Sequence, residues 1–285
     1  MDLNGDGHND ILSGSYSRMQ GGMAGLFHVL WGQPGGGFNA AAILTGTDDE
    51  PLIIPVEESK YQTENICTRP TAVDWDGDGD LDMIVGNFAG SFYLFKGKGK
   101  GKFDPQPELL KSNTQPLKIA GAHSDPFVID WDGDGDLDLL SGSSSGGVQW
   151  AENLAGKGQK RPVLKSFKTL IEAGKRTTQV SENELTGPTM ATRIWVDDVN
   201  SDGKLDIFVG DTVSIQTPAK GLSNAEVKTK LAALDKEIVE AMTALRNADA
   251  DGRQAASQRY RQIVLKRNEI MTVERTGFVW LYVQK

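Results

Sequence analysis

Residues 74–82 read Asp74-Trp75-Asp76-Gly77-Asp78-Gly79-Asp80-Leu81-Asp82, and the same nine letters return unchanged at residues 130–138. Two looser copies begin at Asp2 (DLNGDGHND) and Asp198 (DVNSDGKLD), so the shared pattern is D-x-[DN]-x-D-G-x-x-D. After each copy comes a short apolar run that ends at a glycine: Gly14, Gly86, Gly142 and Gly210. A second strand-like run follows the first three copies, at residues 25–31, 91–95 and 147–150. Its counterpart for the fourth copy, residues 277–283, is displaced by an insertion. Apolar runs also precede three of the loops, at residues 71–73, 127–129 and 193–196. The repeating unit is therefore strand, acidic loop, strand, turn, strand, then a weaker fourth segment such as residues 107–110.

One antiparallel sheet of this kind cannot bury both of its faces, and stacking sheets around an axis solves that problem. The expected fold class is all-β: a β-propeller with four recognisable blades, as a four- or five-bladed ring or a partial ring. A β-sandwich or an open array with the same loops is the alternative. The 33 glycines suit a chain of many tight turns.

Residues 222–272 break the pattern with Ala, Lys, Glu, Arg and Leu. Ser223 and Glu226 form a capping box. Val227, Leu231, Leu234, Ile238, Met242 and Leu245 then recur at helical spacing. A turn at residues 247–252 leads to a second apolar stripe through Tyr260, Ile263, Val264, Arg267 and residues 270–271. The expected organisation is thus propeller repeats at 1–221, an inserted α-helical hairpin at 222–272, and a closing strand at 273–285. Asp249 and Asp251 read as turn formers, with a metal site as the weaker reading. The hairpin reads as an edge decoration, or as an arm for a partner.

The loops have the chemistry of a calcium site. Calcium takes six to eight hard oxygen ligands, and acids at alternate positions of a wrapped backbone supply them. Positions 1, 3 and 5 are Asp2, Asn4 and Asp6; Asp74, Asp76 and Asp78; Asp130, Asp132 and Asp134; Asp198, Asn200 and Asp202. Position 6 is always glycine, which takes the positive φ of a sharp turn. Position 7 offers a backbone carbonyl, so its side chain varies: His8, Asp80, Asp136 and Lys204. Position 9 returns to acid at Asp10, Asp82, Asp138 and Asp206. Position 12, where an EF-hand has its bidentate Glu, is Ser13, Val85, Ser141 and Val209, so the flanks are strands and an EF-hand is excluded. Asp and Gly also mark ordinary turns, but that explains one loop, not four with acids at the same offsets. Up to four Ca²⁺ are expected, bringing the net charge from −9 to about −1 if all bind. The second and third loops, with four carboxylates each, are expected to bind tightest.

The segments DWDGDGDLDMIVGN and DWDGDGDLDLLSGS closely resemble the FG-GAP/VCBS repeat family, and the resemblance covers most of residues 1–221 and the last ten or so. It implies a β-propeller, similar to the integrin α-subunit head, whose blades each hold a calcium ion between the first two strands. It also implies an extracellular or cell-surface setting with protein or glycan contacts. This chain departs from the family's usual count of about seven blades. Its first copy also lacks a preceding strand, so a longer natural N-terminus, with a signal peptide, is expected.

The acidic balance argues against nucleic acid. No stretch is apolar for long enough to span a membrane. The single cysteine, Cys67, cannot form an intramolecular disulfide and reads as an inert buried thiol. Three histidines make a His-based zinc site improbable, and no catalytic motif is present. Trp75 and Trp131 read as packing over the loops, or as sugar-stacking platforms. Arg69, His123 and Arg193 precede successive loops, and around a common axis they share one surface suited to a glycan or carboxylate. The expected function is a noncatalytic calcium-stabilised binding or scaffolding module, outside the cytoplasm. The rivals are a polysaccharide lyase or hydrolase on the same scaffold, and a purely structural repeat of a larger surface protein.

Overall fold

A computed structural model describes residues 1–16, 25–56, 64–157, 161–175, 184–249 and 252–285. The described residues are mostly β, built of several separate antiparallel sheets and two helices, and no sheet among them closes on itself into a barrel. It forms two compact units: one of Met1–Gly174, Gly187–Thr212 and Phe278–Lys285, the other of Lys175–Thr186 and Val213–Gly277.

In the first unit, β1 (Ile11–Ser13), β2 (His28–Leu30) and β3 (Ala42–Ile43) make a three-stranded sheet. The second sheet runs in order through β4 (Arg69–Val73), β5 (Asp82–Gly86), β6 (Phe92–Phe95) and β7 (Glu108–Leu109). A short ribbon follows, of β8 (Lys111–Ser112) and β9 (Gln115–Pro116). The third sheet repeats the second with β10 (Asp125–Ile129), β11 (Asp138–Gly142), β12 (Val148–Ala151) and β13 (Lys168–Ile171). The fourth begins with β14 (Arg193–Asp197) and β15 (Asp206–Gly210). In chain order come β16 (Val213–Pro218), α1 (Asn224–Asn247), α2 (Arg253–Ile270) and β17 (Met271–Thr276), before β18 (Val279–Tyr282) pairs with β15. The expected return of residues 277–283 to the last sheet is therefore seen, with Ile207 opposite Tyr282 and Gly210 opposite Val279.

The wholly apolar second strands follow from how the sheets stack. Successive side chains of a strand point to opposite faces. Met83 and Val85 join Phe27, Val29 and Phe95 in one core, between the first and second sheets. Ile84, between them in sequence, joins Phe92, Leu139 and Ala151 in the next core. Leu140 turns the other way, to Val196, Ile207 and Val209 of the fourth sheet. The middle sheets thus bury both faces, which is why MIV and LL show no alternation. Each fully buried Leu, Ile or Phe contributes roughly 1.5–3 kcal/mol.

The glycine that follows the acidic loop's apolar run in the first three repeats sits at the seam between sheets. A Cβ on Gly14 would stand 2.0 Å from the Thr68 carbonyl oxygen, on Gly86 2.3 Å from that of Ser124, and on Gly142 2.3 Å from that of Thr192. The next residue donates its N–H across the seam to a hydroxyl: Ser15 to Thr68 Oγ1, Asn87 to Ser124 Oγ and Ser143 to Thr192 Oγ1, each at 2.8 Å. Thr68, Ser124 and Thr192 occupy one repeat position, immediately before β4, β10 and β14.

In the second unit, β16 and β17 pair in a ribbon that leads into and out of the helices. The ribbon takes in residues 213–218 and 271–276, outside or at the margin of the 222–272 span read as helical. Ser223 and Glu226 form the capping box, with Glu226 N–H donating to Ser223 Oγ and Ser223 N–H donating to Glu226 Oε2. Val227 and Leu231 pack on Met271, and Leu234 and Ala241 pack on Ile263. Met242, expected on the buried stripe, is 40 % exposed; its neighbour Ala241 is the inward residue, in the cluster with Leu234 and Ile263. In the turn, Asp249 Oδ1 accepts from Gly252 N–H at 2.8 Å, the behaviour of a turn former, while Asp251 lies outside the described residues. No helix among the described residues is long and apolar enough to cross a membrane.

Candidate metal centres

The four loops share one backbone cradle. The position 1 carboxylate accepts from the amides that curl over it: Asp2 from Gly5, Asp6 and Gly7; Asp74 from Asp78 and Gly79; Asp130 from Gly133 and Gly135; Asp198 from Asp202 and Gly203. Position 5 accepts from the position 7 amide in every copy: Asp6 from His8, Asp78 from Asp80, Asp134 from Asp136 and Asp202 from Lys204. Position 3 accepts from the position 5 amide at Asn4, Asp132 and Asn200. The turn needs positive φ twice, at position 6 as expected and also at position 4, where Gly5, Gly77 and Gly133 stand. In the fourth copy a non-glycine, Ser201, takes φ 58° there.

Position 9 does something the pattern alone did not show. Its carboxylate ties the loop to the far end of the third strand. Asp10, Asp82, Asp138 and Asp206 accept through Oδ1 from Gly32, Gly97, Asn153 and Gln284 N–H, at 2.8, 2.7, 2.7 and 3.0 Å. In three copies Oδ2 also accepts from the position 2 amide: Leu3, Trp75 and Trp131. All four acids are buried. Burial pushes Asp138 up to about 6, against the amides of Asn153 and Trp131 that favour its charged form. Burial likewise raises Asp82. Each oxygen retains a second lone pair, so a role in the staple leaves capacity for a cation.

Two loops bring three acids together. Carboxylate oxygens of Asp74, Asp76 and Asp78 lie within 4.8 Å of one another, and so do those of Asp130, Asp132 and Asp138. These are the two loops with an acid at position 3. Asn4 and Asn200 take that place in the first and fourth loops, which form no such cluster among the described residues. The donor set is hard oxygen throughout, the chemistry that suits calcium or magnesium and not a soft metal. Asp136 Oδ1, at the edge of the third loop, is buried with no hydrogen-bond partner. Its Oδ2 accepts from Gly156 N–H at 2.7 Å, so this position 7 side chain anchors the following turn and is more than a carrier of its carbonyl. Burial raises its proton affinity, and the neighbouring loop carboxylates add to that. The second loop has its own cation: Lys96 Nζ donates to Asp76 Oδ2 at 3.0 Å.

Trp75 is buried in the core between the second and third sheets, and Trp131 packs half-buried against the next core. Cys67 is buried. Residues 74–141 and 130–209 match the sequence model of the FG-GAP-like repeat. The chain is thus a carrier of FG-GAP-like repeats, as its loops indicate. No curated protein matches it.

Proposed function

We propose that this chain is a calcium-stabilised, noncatalytic binding or scaffolding module, with its four sheets arranged as propeller blades, working outside the cytoplasm on a protein or glycan. The observation that carries the reading is the same amide-lined acidic cradle at four repeat positions, with three carboxylates converging in the second and third loops. Asp74, Asp76 and Asp78 would hold one ion, and Asp130, Asp132 and Asp138 another. The position 7 carbonyls of Asp80 and Asp136 are further donors, and the first and fourth loops are weaker sites. A bound ion supplies positive charge that offsets carboxylate repulsion and fixes each loop between its two strands. The propeller arrangement is supported by sheets that stack in sequence order and share cores on both faces. The extracellular setting follows from the calcium reading, because the calcium sites of extracellular modules fill at the high calcium concentration outside cells.

Thermal unfolding of the chelator-treated protein, with and without 1–5 mM Ca²⁺ (about the concentrations that fill extracellular modules), tests this reading. A ligand at about 100 times its Kd adds about 2.7 kcal/mol, so a rise of several degrees is expected. Mg²⁺ at the same concentration should give much less, because it keeps its waters and needs near-octahedral geometry. An unchanged melting temperature would remove the reading.

A further inference from the structure

The first strands end at the acidic loops, and at their other end is a second feature. The residues that open β4, β10 and β14 are Arg69, Asp125 and Arg193, one repeat position in three successive sheets. They converge. Arg193 Nη1 donates to Asp125 Oδ1. Arg69 Nε stands 3.9 Å from the same oxygen, and its Nη1 donates to the His123 carbonyl at 3.0 Å. Ser15, Tyr16 and Thr68 join the three in lining a cavity of about 400 Å³.

The charge is unbalanced. Among the described residues Asp125 is the only acid paired with either arginine, so the group carries one excess positive charge. The Asp125 and Arg69 side chains are each only 15 % exposed, whereas Arg193 is 54 % exposed. Removing one partner of a buried charge group from water without its counter-ion is costly. In keeping with this, burial and the Arg193 charge lower the proton affinity of Arg69, and burial and both arginines lower that of His123. Asp125 takes one N–H of Arg193, and the rest of that exposed guanidinium stands at the cavity wall as a cationic fork.

We infer that this cavity binds a small monocarboxylate about the size of one sugar acid, with Arg193 as its carboxylate anchor. The guanidinium fork matches a planar carboxylate in bidentate fashion. One excess charge matches a monoanion and not the dianion of phosphate. The volume lies at the small end of ligand pockets, which run from roughly 300 to 1,000 Å³. The inference goes beyond the calcium reading and does not depend on it, because the loops lie at the opposite strand ends.

Calorimetric titration of the calcium-loaded protein with D-glucuronate, D-glucose, inorganic phosphate and a short peptide with a free C-terminus tests it. Glucuronate is expected to bind, glucose to give no heat, and phosphate and the peptide to bind about tenfold more weakly. Arg193→Gln should weaken glucuronate binding by about tenfold or more, and Arg193→Lys, which keeps a positive charge beside the buried Asp125 and so holds the melting temperature, should also weaken it by losing the bidentate fit. Asp125→Asn should shift preference toward phosphate by raising the excess charge. Equal binding of glucose and glucuronate, absence of glucuronate binding at millimolar concentration, native affinity in Arg193→Gln, or tighter binding of the peptide would each overturn it. A parallel Ca²⁺ titration keeps the two readings apart: glucuronate binding with no calcium heat defeats only the metal assignment.

Discussion

In the third sheet, Gly142 lies under the Thr192 carbonyl, 2.3 Å from where a Cβ would stand; in the fourth, the equivalent Gly210 meets nothing nearer than the Arg193 carbonyl of its own sheet, at 3.9 Å. The contrast runs through both sheets. The third loop has Asp132 at position 3, and its position 9 acid holds two amides, from Trp131 and Asn153. The fourth has Asn200, and Asp206 holds only the Gln284 amide, leaving Oδ2 buried without a hydrogen-bond partner. The third strand follows the second after a tight turn in the third sheet, but comes back as β18 after the whole inserted unit in the fourth. In the fourth sheet Val279 is exposed, and Trp195 is exposed too although its ring meets Phe127 of the third sheet edge-on. A repeat position is therefore constrained by having a neighbouring sheet to meet, and the same residue type has different worth at the two places.

The largest difference is expected at position 9. Asp138→Ala leaves the buried Asn153 amide, worth about 1–3 kcal/mol, and the half-buried Trp131 amide without an acceptor, whereas Asp206→Ala leaves only the half-buried Gln284 amide. Denaturant midpoints of the two variants would measure this, and equal losses would break the comparison. Next come the seam glycines. Gly86→Ala and Gly142→Ala force a backbone shift and should cost about 1–3 kcal/mol. Gly210→Ala should be neutral or slightly stabilising, because alanine restricts the unfolded chain without a clash. A smaller loss, about 1 kcal/mol, is expected for Ser124→Ala and Thr192→Val, which delete the hydroxyl acceptor at the seam. Smallest in stability, but informative, is Lys96→Met. It removes the cation on Asp76 and should raise the calcium affinity of the second loop while leaving the third unchanged, read as a shift in one of two binding isotherms.

Much of this was legible in the residues. Acid and glycine positions marked the loops, apolar runs marked the strands, and the pattern of residues 277–283 announced a strand returning after an insertion. Arg69, His123 and Arg193 were read together as residues preceding successive loops; the structure brings the two arginines to Asp125, a residue that reading left out, and His123 meets Arg69 through its main-chain carbonyl. What was hidden involved partners with no side-chain identity. The staple made by Asp82 or Asp138 ends on the main-chain amides of Gly97 and Asn153, and any residue has an amide except proline. The seam hydroxyls of Thr68, Ser124 and Thr192 did carry a signal, a Ser or Thr six residues before each of three loops. The signal has meaning only once the terminal glycine is known to touch the next sheet. Position 4 was hidden in part because Ser201 occupies it in the fourth copy, masking a need for positive φ that the three glycines would otherwise show.

The central claim is that the second and third loops hold calcium. Isothermal titration of the metal-stripped, folded protein with Ca²⁺ tests it most directly, with Asp76→Ala and Asp132→Ala beside the native chain. The account predicts at least two tight sites in the native protein and the loss of one in each variant. No calcium heat from the native chain, or unchanged stoichiometry in both variants, would contradict it.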